Sequence, residues 1–139
     1  MRINFYCGCR LDRAGRLRQD PEWIAERLAD PRSRIVPVWR SQNLVIAGPE
    51  PHAALLERGP SSNLVATARE VVLLGLADSV AHFAVEVGLD DPMQEPALAG
   101  AGQFADLRQV GPLLSREEGS LLAYARGLMH WHARHRFCS

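Results

Sequence analysis

The apolar positions of residues 71–87 fall into two patterns. Val71-Val72-Leu73-Leu74-Gly75-Leu76 is a nearly continuous block, and Ala81-His82-Phe83-Ala84-Val85-Glu86-Val87 alternates. Alternation puts Phe83, Val85 and Val87 on one face and predicts a half-solvated strand, with Asp78-Ser79 as the turn before it. Upstream, Ile35-Val36-Pro37-Val38-Trp39 and Leu44-Val45-Ile46-Ala47 are β-rich runs joined by Arg40-Ser41-Gln42-Asn43, which predicts a hairpin. Pro37 has no N–H to donate to a ladder, so its strand is expected at an edge or bulged there.

Helical periodicity is clearest near the C-terminus. Leu121, Leu122, Ala125, Leu128, Met129 and His132 form one apolar stripe, and Ser115-Arg116-Glu117-Glu118 before it reads as a capping box. Arg134, His135 and Arg136 then complement the negative end of the helix dipole. A second start signal is Asp20-Pro21-Glu22, with Asp at the N-cap and Pro at the first helical position; that helix carries Trp23, Ile24, Arg27 and Leu28 and ends near Asp30-Pro31. Residues 3–9 read as a strand or extended arm, 49–51 as a loop or short helix, 61–69 as helix, 88–102 as a surface loop and 104–110 as a short helix broken by Gly111-Pro112. The expected fold class is α+β: a mixed sheet with flanking helices and a C-terminal connecting helix.

Composition narrows the function classes. The 139 residues are 47% hydrophobic and 23% charged, with no apolar run long enough to span a bilayer and no signal-peptide layout, so a cytoplasmic protein without a membrane partner is expected. A net charge of zero argues against a broad nucleic-acid footprint. The basic side chains are all Arg, nine of them in residues 1–40 against five acids. This pattern is read as genomic base composition in preference to phosphate recognition. The Arg-rich segment 10–18 leaves open a free-standing nucleotide- or protein-binding module.

Metal and catalytic motifs are sparse. His132 and His135 share a helix face with Cys138 one turn on, but His130 points about 160° from His132, so all four do not meet at one ion; helix-end residues are the favoured reading over a His2Cys site. A structural zinc ion needs a tetrahedral set of ligands that one cysteine cannot supply, so Cys138 would be the first ligand of a site completed elsewhere. Cys7 and Cys9 receive no role. The acids Glu22, Glu26, Glu57, Glu70, Glu86, Asp90, Asp91, Glu117 and Glu118 are scattered, and Glu117-Glu118 is accounted for by the helix start. Trp23, Trp39 and Trp131 sit in apolar patterns, which predicts core or domain-interface packing. The Nudix box, Gly-x5-Glu-x7-Arg-Glu with further glutamates, fails because Gly111 and Glu117 have the first spacing but position 125 is Ala. No P-loop, Gly-x-Gly-x-x-Gly or Gly-x-Ser-x-Gly motif is present.

The order of the landmarks is more informative. Leu11-Asp12-Arg13, Arg18-x-Asp20-x-x-Trp23, Pro37-Val38-Trp39-Arg40, Leu74-Gly75-Leu76 and Trp131-His132-x-x-His135-x-Phe137-Cys138 together resemble the N-terminal region of NADH pyrophosphatases. Those Nudix hydrolases join an N-terminal Nudix-like domain, a four-cysteine zinc ribbon and a catalytic Nudix domain. The resemblance implies a Nudix-like domain over 1–112, a connecting helix over 113–136 and the first residues of a ribbon at 137–139, with Cys138 as the first zinc ligand. For the parent protein it implies structural Zn²⁺, catalytic Mg²⁺ or Mn²⁺, and cleavage of NAD(H), or of NAD-capped RNA, at the pyrophosphate. It also implies a homodimer, with the ribbon and catalytic domain as partners in the same chain. This segment by itself is expected to be inactive and to hold no cofactor. The stripe of 121–132 is expected to face the ribbon or a partner chain.

Overall fold

The computed structural model describes the backbone of residues 19–135 and the side chains through residue 132. The strand or arm expected at 3–9 and the Arg-rich segment 10–18 lie outside the described residues, as do Cys7, Cys9, Cys138 and the side chain of His135. Seven strands form one mixed sheet among the described residues: β1 (Arg34–Trp39), β2 (Gln42–Ile46), β3 (His52–Ala53), β4 (Leu56–Glu57), β5 (Glu70–Ala77), β6 (Val80–Glu86) and β7 (Gln103–Ala105). The order is β3-β2-β1-β6-β5, with β4 added to β1 and β7 to β2. The β1–β6 pairing is parallel and the other pairings are antiparallel. The helices are α1 (Pro21–Ala29), α2 (Ser62–Ala66), α3 (Pro96–Ala99), α4 (Leu107–Val110) and α5 (Arg116–His135). The fold class is therefore α+β, as expected.

Both N-cap residues bond where the sequence predicts. Asp20 accepts hydrogen bonds from the Glu22 and Trp23 amides at 3.0 and 3.3 Å, covering two of the orphan donors of α1. At the other end Ser33 Oγ and Arg58 Nε donate to the Arg27 and Leu28 carbonyls. At α5 the Glu118 amide donates to Ser115 Oγ at 3.1 Å. The second half of the expected capping box differs: Glu118 is 5% exposed and directs Oε1 to His52 Nδ1 at 3.4 Å, so its carboxylate ties α5 to β3. Ser115→Ala is expected to cost about 1 kcal/mol in a urea melt, the usual value of an N-cap hydroxyl. An unchanged midpoint would show that the hydroxyl does not cap the helix.

Two tight hairpins organise the sheet. Arg40 and Ser41 (φ 49° and 64°) and Asp78 and Ser79 (φ 52° and 65°) are the central pairs of two-residue turns with both positions left-handed. The first turn is shorter than the sequence suggests. Gln42 and Asn43 belong to β2, and Asn43 is fully buried, its Nδ2 donating to the Leu122 carbonyl of α5 at 3.1 Å. Gly75, at φ 151°, sits at the register shift between Leu73 and Gly75 in β5, where a side chain would be strained.

Pro37 is not on an edge strand. β1 lies in the middle of the sheet, and the expectation is corrected by how its far side is shared. Arg34 and Ile35 pair with β4, Val38 and Trp39 pair with β2, and Pro37 falls at the seam between the two. The Leu44 carbonyl, which a continued β1–β2 ladder would assign to position 37, instead accepts from the Ala54 amide at 3.1 Å. The missing N–H therefore leaves no acceptor unsatisfied there.

The sheet is covered on both faces. Val36, Val38, Val45, Leu74 and Ala84 pack under Leu121, Leu122, Ala125 and Met129 of α5. On the opposite face Ile35, Leu44, Leu73, Phe83 and Val85 pack with Leu64 and Leu98, and Trp23, Ile24 and Leu28 of α1 lie over them. Phe83, Val85 and Val87 do share one face, but β6 is not half-solvated, because α5 covers the other. The stripe expected to face a ribbon or partner is thus largely buried within this domain. Residues 88–102 are more ordered than a surface loop, with a 3-10 turn at Pro92–Gln94 and α3 around the fully buried Leu98. The short helix expected at 104–110 is split between β7 and α4.

Candidate functional site

Several of the described carboxylates act as local fasteners. Asp20, Asp91, Glu95 and Asp106 accept hydrogen bonds from backbone amides at the starts of helices or 3-10 turns. Asp30 and Asp106 each clasp the arginine two residues on, through its amide at 2.9 Å and its guanidinium at 3.1 Å. The Arg32 and Arg108 guanidiniums hold these two carboxyls below the usual carboxylate range. Glu95 also accepts from Asn63 Nδ2 at 2.7 Å.

The sequence-selected histidines do not converge. His132 Nδ1 lies 3.6 Å from Glu70 Oε2 and its ring stands edge-on to Trp131, while His130 is exposed. Among the described residues no three His, Cys, Asp or Glu side chains gather where they could hold an ion. The Mg²⁺ or Mn²⁺ and Zn²⁺ implied by the resemblance therefore find no fitting donor set there.

The tryptophans divide by position. Trp23 and Trp39 are half-buried against the sheet, and Trp39 donates from Nε1 to the Leu89 carbonyl at 2.8 Å. Trp131 is 51% exposed. It closes an apolar groove of about 500 Å³ along the outer side of α5 with Ala123, Tyr124, Gly127 and Leu128. A wider cleft of about 770 Å³ opens between the β4–α2 connection and α3, past Leu55, Glu57, Pro60, Ser61 and Ala97. A third cleft, about 90 Å³, is bounded by Trp39, Arg40, Arg69 and Glu86.

The sheet, its covering helix and the ordered landmarks coincide with a known domain type. A family model described as the NADH pyrophosphatase-like rudimentary NUDIX domain matches residues 32–131. The chain belongs to this family. The match spans the sheet from just before β1 and most of α5. A further similarity is to human NAD(P)H pyrophosphatase NUDT13, described as mitochondrial, with 35% identity over 79 residues. That alignment covers 49% of this chain and 22% of the relative, so the chain corresponds to well under half of that relative's length. Within the rudimentary NUDIX domain no described helix is long and apolar enough to cross a membrane.

Sequence reasoning missed Asn43, read as turn, and the Glu118–His52 contact. The signal for Asn43 was the two-residue turn itself: a left-handed Arg40-Ser41 pair leaves Gln42 and Asn43 to continue the strand.

Proposed function

We propose that this domain is the non-catalytic N-terminal part of an NAD(H) diphosphatase. The parent enzyme would cleave the pyrophosphate of NAD(H) to NMN(H) and AMP, and could act in the same way on NAD-capped RNA. The observation that carries the reading is the family match over 32–131. Catalysis in a Nudix hydrolase rests on glutamates gathered around divalent metal, which activate water and neutralise charge on the phosphoryl oxygens. In this reading Mg²⁺ or Mn²⁺ belongs to a separate catalytic domain, and Cys138 to a zinc ribbon.

The role left to the domain is structural: to buttress the catalytic domain and help form a homodimer. The groove along α5 supports that role, since a nearly all-apolar exposed surface favours a protein neighbour. The purified chain, incubated with NADH and Mg²⁺ or Mn²⁺, is expected to release no NMNH by chromatography. Metal-dependent NMNH release would overturn the non-catalytic assignment.

A further inference from the structure

We infer that the outer groove of α5 seats the same helix of a second copy, the two running antiparallel about a two-fold axis at Gly127. The inference gives the homodimer proposed above its contact face, and rests on that part of the reading.

Gly127 is the residue that points outward. It lies inside a 20-residue helix, where glycine is less favourable than any residue but proline because it loses the most conformational freedom on folding. Packing within the domain does not ask for it: among the described residues no atom would lie within 4 Å of a Cβ at Gly127. Gly102 and Gly88 differ, since a Cβ there would fall 2.3 Å from the Val45 carbonyl oxygen and 2.8 Å from that of Thr67. Those two glycines admit backbone of the same domain. Gly127 leaves room for backbone from outside it.

The surface around Gly127 is apolar and matches itself. At 100° per residue Ala123, Gly127 and Trp131 lie within about 80° of one another, on the side of α5 away from Ala125 and Met129, which face the sheet. Tyr124 and Leu128 wall this groove of about 500 Å³. Trp131 stands at its end, 51% exposed, with the His132 ring edge-on at 5.1 Å. Ala123 and Trp131 are each four residues from Gly127, about 6 Å along the axis. A two-fold axis at Gly127 therefore lays the indole of each copy over the exposed Ala123 of the other. The helices then approach most closely where neither has a side chain. Such a contact is isologous, with large facing small on both sides of the axis. It also sets the two helix dipoles head to tail. Only a second copy makes use of this symmetry about one residue. The seam over residues 120–131 is about 17 Å long. It buries less than the roughly 1,200 Å² of a permanent interface, so the chain is expected in a monomer–dimer equilibrium.

Sedimentation equilibrium from about 10 μM to about 1 mM covers the affinities of such a short interface. A reducing agent keeps the three cysteines from cross-linking the chains. The average mass is expected to rise from that of one chain toward that of two. Trp131→Ala is expected to weaken pairing roughly tenfold, as loss of a central Trp anchor does, and Ala123→Trp, which sets indole against indole, by a similar factor. The double variant exchanges large and small and is expected to pair within about threefold of the unaltered chain. Gly127→Leu is expected to abolish pairing while the urea midpoint of the monomer stays level or rises, because leucine is the better helix former and has open space there. A dimer indifferent to Gly127→Leu would keep the homodimer but overturn this face. A chain monomeric at every concentration, or a double variant no better than its singles, would also overturn it. Release of NMNH bears on the catalytic assignment alone, so the two readings fail separately.

Discussion

Phe83→Ala is expected to remove about 3–5 kcal/mol of stability, the usual cost of emptying a buried Phe site. Phe83 has no exposed surface and lies between Ile35 of the parallel neighbour and Leu73 of the antiparallel one. Its ring belongs to the cluster that also contains Leu44, Leu64 and Leu98. These side chains come from several separate elements, so collapse to fill the void would have to displace more than one of them. Domains of this size hold roughly 5–15 kcal/mol in total, so the variant would lose a large share of its stability. The urea midpoint should fall with an unchanged slope, and Phe83→Leu should cost less than about 1.5 kcal/mol. A loss below about 1 kcal/mol for the alanine variant would contradict the packing of Phe83 between Ile35 and Leu73.

Between about pH 6.5 and pH 4, acid should weaken the fold through His82. His82 is fully buried, with Nδ1 facing the Val80 carbonyl at 2.9 Å, which makes Nδ1 the proton-bearing nitrogen of the neutral ring. Burial pushes its pKa down to about 4; the Val80 hydrogen bond opposes the shift and the Arg34 charge adds to it. An unfolded histidine takes up its proton near pH 6.5, whereas the folded one waits until about pH 4. Between those values the unfolded chain binds more protons, so stability falls as the pH falls. The loss amounts to about 3 kcal/mol by pH 4 and levels off within about a pH unit below it. Denaturant melts of the unaltered protein and His82→Gln across that range should diverge in slope by this amount. Parallel curves would show that His82 is not a buried neutral group.

Legibility of the fold tracked the range of the interactions involved. Asp20 and Ser115 were readable as caps because a cap bonds amides two or three residues away. The Asp78-Ser79 turn and its strands were readable for the same reason, with partners adjacent in the chain. Pro37 misled because its tolerance depends on β4 and β2 dividing one side of β1. The two-residue strands β3 and β4 gave no periodic signal at all.

The candidate sites were less legible than the fold. Glu118 was correctly placed in the first turn of α5, yet its side chain turns to His52, 66 positions away in sequence, instead of closing the capping box. The histidines of α5 looked like a cluster in sequence, but the helix separates His130 from His132, and Glu70 of β5 takes the latter. Arg40 stood out only within the Pro37-Val38-Trp39-Arg40 landmark and Arg69 in no motif; both line one cleft because β1, β5 and β6 begin or end there.

The sequence by itself determined the helix starts, the hairpins, the α+β class and, through the order of its landmarks, the family. Those features depend on neighbours a few residues apart or on the order of residues along the chain. The central position of β1, the covering of both faces of β6 and the cleft beside Trp39 were decided by the tertiary structure. Each of these depends on elements distant in sequence, such as β1 and β6 paired across 48 positions, and a contact at that separation leaves no periodic trace in either partner.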